Sequence, residues 1–306
     1  MKQFIVLISF VIGAFSAQAQ NTQLERHWKE NVEKIRVMSY NILNGFEWGK
    51  DTDRETRLVN WVKEQDPEIL GLQELCGFNQ AKLEALAARW GHPYAVIVKE
   101  DGYPVGITSK KPIELKAKLV GEIGHGMLHV KTYGYDVLVT HLNPHNAAKR
   151  NHEAALVVDY IKKNNLTNCM LMGDMNSHSP FDADYMERNA TQLQRRYGGD
   201  QSKNLMDGWF DYSVISHYIA LPLIDVCRMY VEPDQRATYP TPVLMDVSKQ
   251  QAVYKRASER LDYIFVTPNI LHDVVDAFIF NEGTPEYLSD HYPIAIDLCV
   301  ETVEKK

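Results

Sequence analysis

The chain has 306 residues, 45% of them apolar and 24% charged, with 33 basic and 40 acidic side chains and a net charge of −7 at pH 7. Such a composition excludes a disordered or fibrous chain and fits a globular protein. The negative balance provides no overall field for collecting polyanions, so nucleic acid as substrate would require a local basic cleft.

The first element is a leader. Lys2 supplies the positive charge, Phe4 to Phe15 the apolar core, and Ala17-Gln18-Ala19 a small-x-small cleavage site, so residues 1–19 read as a signal peptide. The apolar stretch is short for a membrane span. No cysteine near the cut offers a lipid attachment point, so no stable membrane anchor is expected. Residues 20–306 are expected to form one exported domain, periplasmic or extracellular. Cys76, Cys169, Cys227 and Cys299 reach a compartment where disulfides are possible. Four cysteines allow three pairings and the sequence selects none. No CxxC or His/Cys cluster points to structural zinc.

Strands are predicted at 35–42, 68–74, 94–98, 103–109, 126–133 and 135–142, then at 168–173, 223–228, 260–267, 274–280 and 293–300. These are apolar runs, alternating or continuous, rich in Val, Ile, Tyr and Phe. Helices fall between several of them. Thr52 with Glu55 forms a capping box that opens a helix at 53–65. Leu83, Leu86, Ala87 and Trp90 carry helical spacing ended by Gly91, and a third helix runs from about Ala147 to Asn164. This mixture predicts an α/β (α+β) fold with two sheets packed face to face and helices outside. Residues 181–222 carry Tyr185, Tyr197, Trp209, Phe210, Tyr212 and Tyr218 among polar residues. They are expected to form an insertion beside one sheet end, a cover or a substrate wall.

Polar residues close the predicted strands. Asn41 ends VMSYN, Gln73 and Glu74 end EILGLQE, and His141 ends VLVTH with Asn143 just beyond. In MGDMN (172–176), Asp174 and Asn176 stand two apart, which on a strand points both the same way, with Gly173 letting the backbone leave the sheet. Asp262 lies in RLDYIF and Asp290-His291 in SDHYP. Singly, each residue has a plain structural role as a turn cap, a helix cap or a buried histidine. Hard oxygen ligands converging on one point suit Mg²⁺ or Mn²⁺, not zinc.

As an ordered set, SYNIL (39–43), LQE (72–74), VTHLN (139–143), GDMN (173–176), RLDYIF (260–265) and SDHYP (289–293) resemble the endonuclease/exonuclease/phosphatase superfamily. The resemblance implies a four-layer αββα sandwich and a metal-dependent phosphoesterase. It implies metal coordination by Asn41 and Glu74 with Asp290 close by, and Gln73 as support behind Glu74. Asp174 and Asn176 match the pair that orients the attacking water and the phosphate. Asp262 matches the partner of the catalytic His291, and His141 a position near the leaving group.

These residue types suit phosphoester cleavage. The reaction needs a positioned nucleophile, charge neutralisation on the non-bridging oxygens and stabilisation of the leaving oxygen. An Asp–His pair fixes the imidazole tautomer and raises its basicity. Asp174 or His291 takes the water proton, and the sequence leaves that choice open. Many relatives place an arginine where this chain reads GHGMLHV, so His125 becomes a substrate-binding candidate, while His129 alternates with apolar neighbours and reads as structural. Trp48, with Phe46, either flanks a ligand or packs over the sheet edge, and His145, Lys149 and Arg150 border the site or start a solvated helix. TYP (238–240) reads as a turn at the site edge.

The leading functional expectation is hydrolysis of a small phosphate ester, a sugar phosphate or a lipid headgroup, with no protein partner implied. The loops 44–54 and 181–222 mix acids, bases and aromatics instead of concentrating Arg and Lys, and no hydrophobic hairpin of the membrane-docking kind stands out. A nuclease acting on DNA or RNA is the alternative, and a non-catalytic binder on the same fold is a third.

Overall fold

Runs of β-branched and aliphatic residues pair into two six-stranded sheets, and helices cover their outer faces, giving the αββα sandwich. The structure, a computed structural model, describes residues 32–197, 204–206, 208–243 and 258–301; the leader at 1–19 lies outside them. In chain order the described strands are β1 (Val32–Asn41), β2 (Ile69–Gln73), β3 (Tyr94–Ile97), β4 (Gly106–Ser109), β5 (Glu114–Leu119), β6 (Met127–Thr132) and β7 (Tyr135–His141). They continue with β8 (Cys169–Asp174), β9 (Leu205–Met206), β10 (Trp209–Phe210), β11 (Ile224–Asp225), β12 (Asp262–Val266), β13 (Val274–Ile279) and β14 (Ile294–Glu301). One sheet runs β13-β14-β1-β2-β4-β3 and the other β11-β12-β8-β7-β6-β5.

Side-chain alternation builds the layers. Val37, Ile69 and Ile107 of the first sheet meet Val137, Val139, Met170, Met172 and Ile264 of the second in the central core. The intervening residues face outward. Tyr40 and Leu72 pack under helices α1 (Thr52–Gln65) and α2 (Gln80–Arg89) through Leu58, Trp61, Leu83 and Leu86. Leu138, Leu171 and Phe265 pack under α3 (Ala147–Lys163) and a helix at Ser213–Ala220 through Val157, Ile161, Ile215 and Tyr218. Each such fully buried side chain contributes about 1.5–3 kcal/mol of transfer free energy. At Gly71 the sheets come so close that an added Cβ would lie 2.7 Å from Met172 Sδ.

Four elements differ from the sequence reading. The α1 cap is Asp51, whose carboxylate accepts the Arg54 N–H at 3.0 Å, so Thr52 is the first helical residue. Strand β5 (ELKAKL), an edge strand, is not among the predicted strands: its apolar residues Leu115, Ala117 and Leu119 are only three, set between charges, with Leu115 about half exposed. The expected strand at 223–228 shortens to β11 because Asp225 turns the chain, accepting the Arg228 N–H at 3.3 Å. The β9–β10 hairpin carries Met206 and Trp209 as paired, exposed residues, an apolar tip that the two-residue strands do not reveal in sequence.

Topology gathers strand ends at one pole. Parallel pairing aligns Asn41 with Gln73 and His141 with Asp174, and antiparallel pairing aligns Asp262 with Asp174. Among the described residues, no helix is long and apolar enough to cross a membrane. Cys76, Cys169, Cys227 and Cys299 are free thiols.

Candidate active site

Two hydrogen bonds from Asn41, one of them between the sheets, bring the strand ends together. Asn41 Nδ2 donates to Glu74 Oε1 of its own sheet and to Asp174 Oδ2 of the other, both at 3.1 Å. Asn41 Oδ1 accepts the Leu43 N–H at 3.1 Å, and Glu74 Oε2 accepts the Asn44 N–H at 2.8 Å. These amides are aimed by an unusual backbone: Leu43 to Trp48 all hold φ between 51° and 60°, a left-handed turn in place of the expected loop. L-residues pay about 1–2 kcal/mol each in that region. Arg54 braces the turn, donating to the carbonyls of Ile42, Leu43 and Leu288 at 2.8–3.0 Å.

Gly173 does not release the backbone from the sheet. It stays paired with Thr140 and Tyr263, and the need for glycine is steric, since a Cβ would lie 1.9 Å from Thr140 O. The strand ends only after Asp174. Asn176 then adopts φ 48°, its N–H bonds Asp174 Oδ1 at 2.9 Å, and its Nδ2 bonds Leu142 O at 3.1 Å. Asp174 and Asn176 therefore converge through a turn and not through strand alternation.

His291 Nδ1 lies 2.8 Å from Asp262 Oδ2, its Nε2 3.6 Å from Asp174 Oδ2, and His141 Nε2 approaches the same oxygen at 3.4 Å. A cavity of about 230 Å³ opens over this floor, lined by Glu74, His141, Asp174, Asn176, Asp290 and His291. Asn41 and Asp262 stand behind it. Gln73 bonds Ser39 Oγ at 3.1 Å, one residue before Glu74. Ser289 Oγ donates to Asn41 O at 2.6 Å, tying the Asp290-His291 loop to β1.

The three residues expected to bind substrate lie outside the cavity lining. Asn143 is occupied by its own turn: Oδ1 accepts the N–H groups of His145 and Asn146 at 3.0 and 2.8 Å, and its N–H bonds Glu153 at 2.7 Å. Pro144 and His145 take its place in the lining. His125 packs its ring 4.4 Å from that of His141 and 5.5 Å from that of Tyr103. Trp48, half-exposed, touches Tyr103 edge-on at the rim. Conversely, Asn204, Tyr239, Glu259 and Leu261 line the cavity without having been singled out as ligands. Only tertiary contact brings them there.

Electrostatics divide the groups. Burial, reinforced by Asp262 and Glu74 against the pull of His291, pushes the Asp174 carboxyl up to about 8. Burial likewise raises Glu74, with Asp290 adding, and raises Asp290. Burial opposes charge on His291, but Asp262 and Asp174 outweigh it and hold the imidazole well above its ordinary value. Burial drives His141 well below the usual range, so its ring is neutral, and takes His125 down to about 4. Clustered carboxylates with one imidazolium among them, and no Lys or Arg among the described residues of the lining, constitute a deficit of positive charge that a divalent cation fits. Glu74 and Asp290, with Asn41, offer oxygens. Ligating atoms of Asp174, Asp262 and His291 also lie within 4.8 Å of one another, although His291 and Asp262 already bond each other.

The profile of the endonuclease/exonuclease/phosphatase family matches residues 38–291, and the chain belongs to that family, whose members are metal-dependent hydrolases of phosphoester bonds. No curated protein sequence matches it. An AP endonuclease from Archaeoglobus fulgidus superposes with a TM-score of 0.63 at 21% identity, over 88% of this chain and 100% of that one. The 3′ phosphatase NExo (D146N) from Neisseria, bound to product DNA hairpin, gives 0.63 at 16% identity over 86% and 99%. The 3′-5′ exonuclease NExo from Neisseria meningitidis gives 0.62 at 16% over the same shares. At these identities the likeness is one of fold.

Proposed function

We propose that the chain is an exported, Mg²⁺- or Mn²⁺-dependent phosphodiesterase or phosphatase acting on a small phosphate ester. The observation that carries this reading is the cavity of about 230 Å³ whose lining, among the described residues, holds carboxylates, imidazoles and amides but no Lys or Arg. Among the described residues, a polyanion would find at that point the single His291 imidazolium and no Lys or Arg. Glu74 and Asp290, with Asn41, hold the metal, which when bound neutralises the non-bridging oxygens of the phosphate. Asn176 orients the attacking water, and Asp174 or His291 removes its proton. Asp262 keeps the His291 ring in place through the 2.8 Å contact at Nδ1 and leaves Nε2 directed at Asp174. His141, held neutral by burial, donates a hydrogen bond to the departing oxygen. Export rests on the leader at 1–19.

A nuclease is the second reading, favoured by the DNA-processing descriptions of the similar folds. The test is turnover of bis-p-nitrophenyl phosphate with Mg²⁺ and with EDTA, followed by plasmid DNA, sphingomyelin, nucleotides and sugar phosphates. Chelator-sensitive turnover with preference for a small ester is the expected result. Preference for plasmid DNA transfers the reading to nuclease, and chelator-resistant turnover removes the metal mechanism.

A further inference from the structure

The two imidazoles of the floor are held in different ways. His291 is oriented by the 2.8 Å contact between its Nδ1 and Asp262. His141 is 2% exposed, yet among the described residues no hydrogen-bond partner meets its Nδ1. A ring without that polar anchor is held by what packs against it. The His125 ring does so, its centroid 4.4 Å away and inclined at 66°, and Tyr103 backs His125 at 5.5 Å. His125 sits in the Gly124-His125-Gly126 loop that leads into β6, and that loop is tied on both sides of the imidazole. Thr140 Oγ1 donates to Gly126 O at 3.3 Å, and Lys99 Nζ donates to Gly124 O at 3.0 Å. A further tie comes from beneath.

Glu153 of α3 is fully buried and divides its side-chain oxygens between two loops. Oε1 accepts the Gly124 N–H at 3.0 Å, one residue before His125, and Oε2 accepts the Asn143 N–H at 2.7 Å, two residues after His141. Arg150, on the same helix face and one turn earlier, donates to Asn143 O at 2.7 Å, so the exit from β7 is held at both its N–H and its carbonyl. The loop that carries His125 is thereby clamped to the strand that carries His141. We propose that Glu153 is a positioning residue of the active site: by joining these two loops it seats the His125 ring against His141 and fixes the His141 imidazole at the leaving oxygen. This rests on the phosphoesterase reading and deepens it by naming what holds the leaving-group residue. Both oxygens of Glu153 are needed. Glutamine would keep one acceptor and turn an amide N–H towards the other donor, which frees one of the loops. A displacement of about 1 Å at a catalytic group costs about a hundredfold in rate, and the cost falls on the step that the group assists.

The experiment compares bis-p-nitrophenyl phosphate with diphenyl phosphate as substrates of the full chain in Mg²⁺. The nitro groups stabilise the departing phenolate, so the first ester needs little help at its leaving oxygen while the second depends on His141. In Glu153→Gln the ratio of kcat on diphenyl phosphate to kcat on bis-p-nitrophenyl phosphate is expected to fall at least about tenfold, with KM of both esters unchanged. His125→Ala, at a half-buried position, is expected to give the same signature and decides the question if Glu153→Gln does not fold. With His141→Asn already in place, adding Glu153→Gln is expected to leave the ratio where His141→Asn put it. A role confined to stability lowers both turnovers alike. An unchanged ratio in Glu153→Gln therefore overturns the inference, as does an unchanged ratio in His125→Ala or a further tenfold fall, about as large as the first, on top of His141→Asn. Absence of wild-type turnover on both esters overturns the phosphoesterase reading and this inference with it, whereas turnover with an unchanged ratio overturns the inference alone.

Discussion

Gly173→Ala places a methyl group where the sandwich has no room for it. The new Cβ would meet Thr140 O at 1.9 Å, Thr140 C at 3.0 Å and Thr140 N at 3.3 Å, all backbone atoms of the neighbouring strand that no rotamer can move. The residue also holds φ 140°, a region closed to side chains. That backbone conformation costs about 1–3 kcal/mol for alanine. Separating β7 from β8 by the required ångström sacrifices on the order of two ladder hydrogen bonds at about 1 kcal/mol each. The loss therefore comes to about 3–5 kcal/mol, which lowers the thermal midpoint by about 6–10 °C in a domain of this size. The displaced neighbours include His141 and Asp174, so activity is expected to fall even in the fraction that remains folded. Gly134→Ala is the control, because its φ is also positive but nothing lies within 4 Å of the added Cβ; it is expected to cost about 1 kcal/mol. Urea unfolding of both variants decides the matter. A Gly173→Ala protein within 1 kcal/mol of wild type would refute the steric reasoning.

Glu47 is exposed, at φ 53° within the left-handed turn, so Glu47→Gly is expected to raise stability by about 1 kcal/mol in urea unfolding; a loss would show the turn to be unstrained. His92 is buried between Thr108 Oγ1 and Pro67 O, and burial takes it down to about 4 from 6.5. The unfolded chain then binds the proton that the fold refuses, so stability is expected to fall by up to about 3 kcal/mol as pH drops from about 6.5 to about 4, with no contribution from this group above pH 7. A pH-independent difference between wild type and His92→Gln over that range contradicts it. Asp262→Ala removes the 2.8 Å partner of His291 and is expected to lower kcat/KM on bis-p-nitrophenyl phosphate roughly a hundredfold with the circular dichroism spectrum unchanged. A change under threefold would exclude His291 from the chemistry.

Much of this was legible in the sequence because strand ends and apolar alternation are local signals. SYNIL, LQE and GDMN set a polar residue where a buried strand stops, RLDYIF and SDHYP where one begins, and β-pairing then had only to align those points. Strand β5 was hidden because Glu114, Lys116 and Lys118 outweigh the small alternating side of Leu115, Ala117 and Leu119, which is further broken by a register shift between Leu115 and Ala117. The left-handed turn at 43–48 was hidden because only Gly45 and Asn44 in it favour such a backbone. Glu259 and His178 are far apart in sequence and meet only when β12 pairs with β8, so nothing in either local stretch announces a wall. Trp48 and Asn143 drew attention by residue type, but a turn claims Asn143 and the rim claims Trp48.

The proposed chemistry depends on Glu74 and Asp290 holding a divalent cation at the mouth of the sandwich. Calorimetric titration with Mg²⁺ of the wild-type protein and of Glu74→Gln/Asp290→Asn tests this directly. A saturable one-to-one isotherm in the first, absent in the second together with phosphoester turnover, is the result the account requires. Undiminished Mg²⁺ affinity in the doubly substituted protein would contradict it.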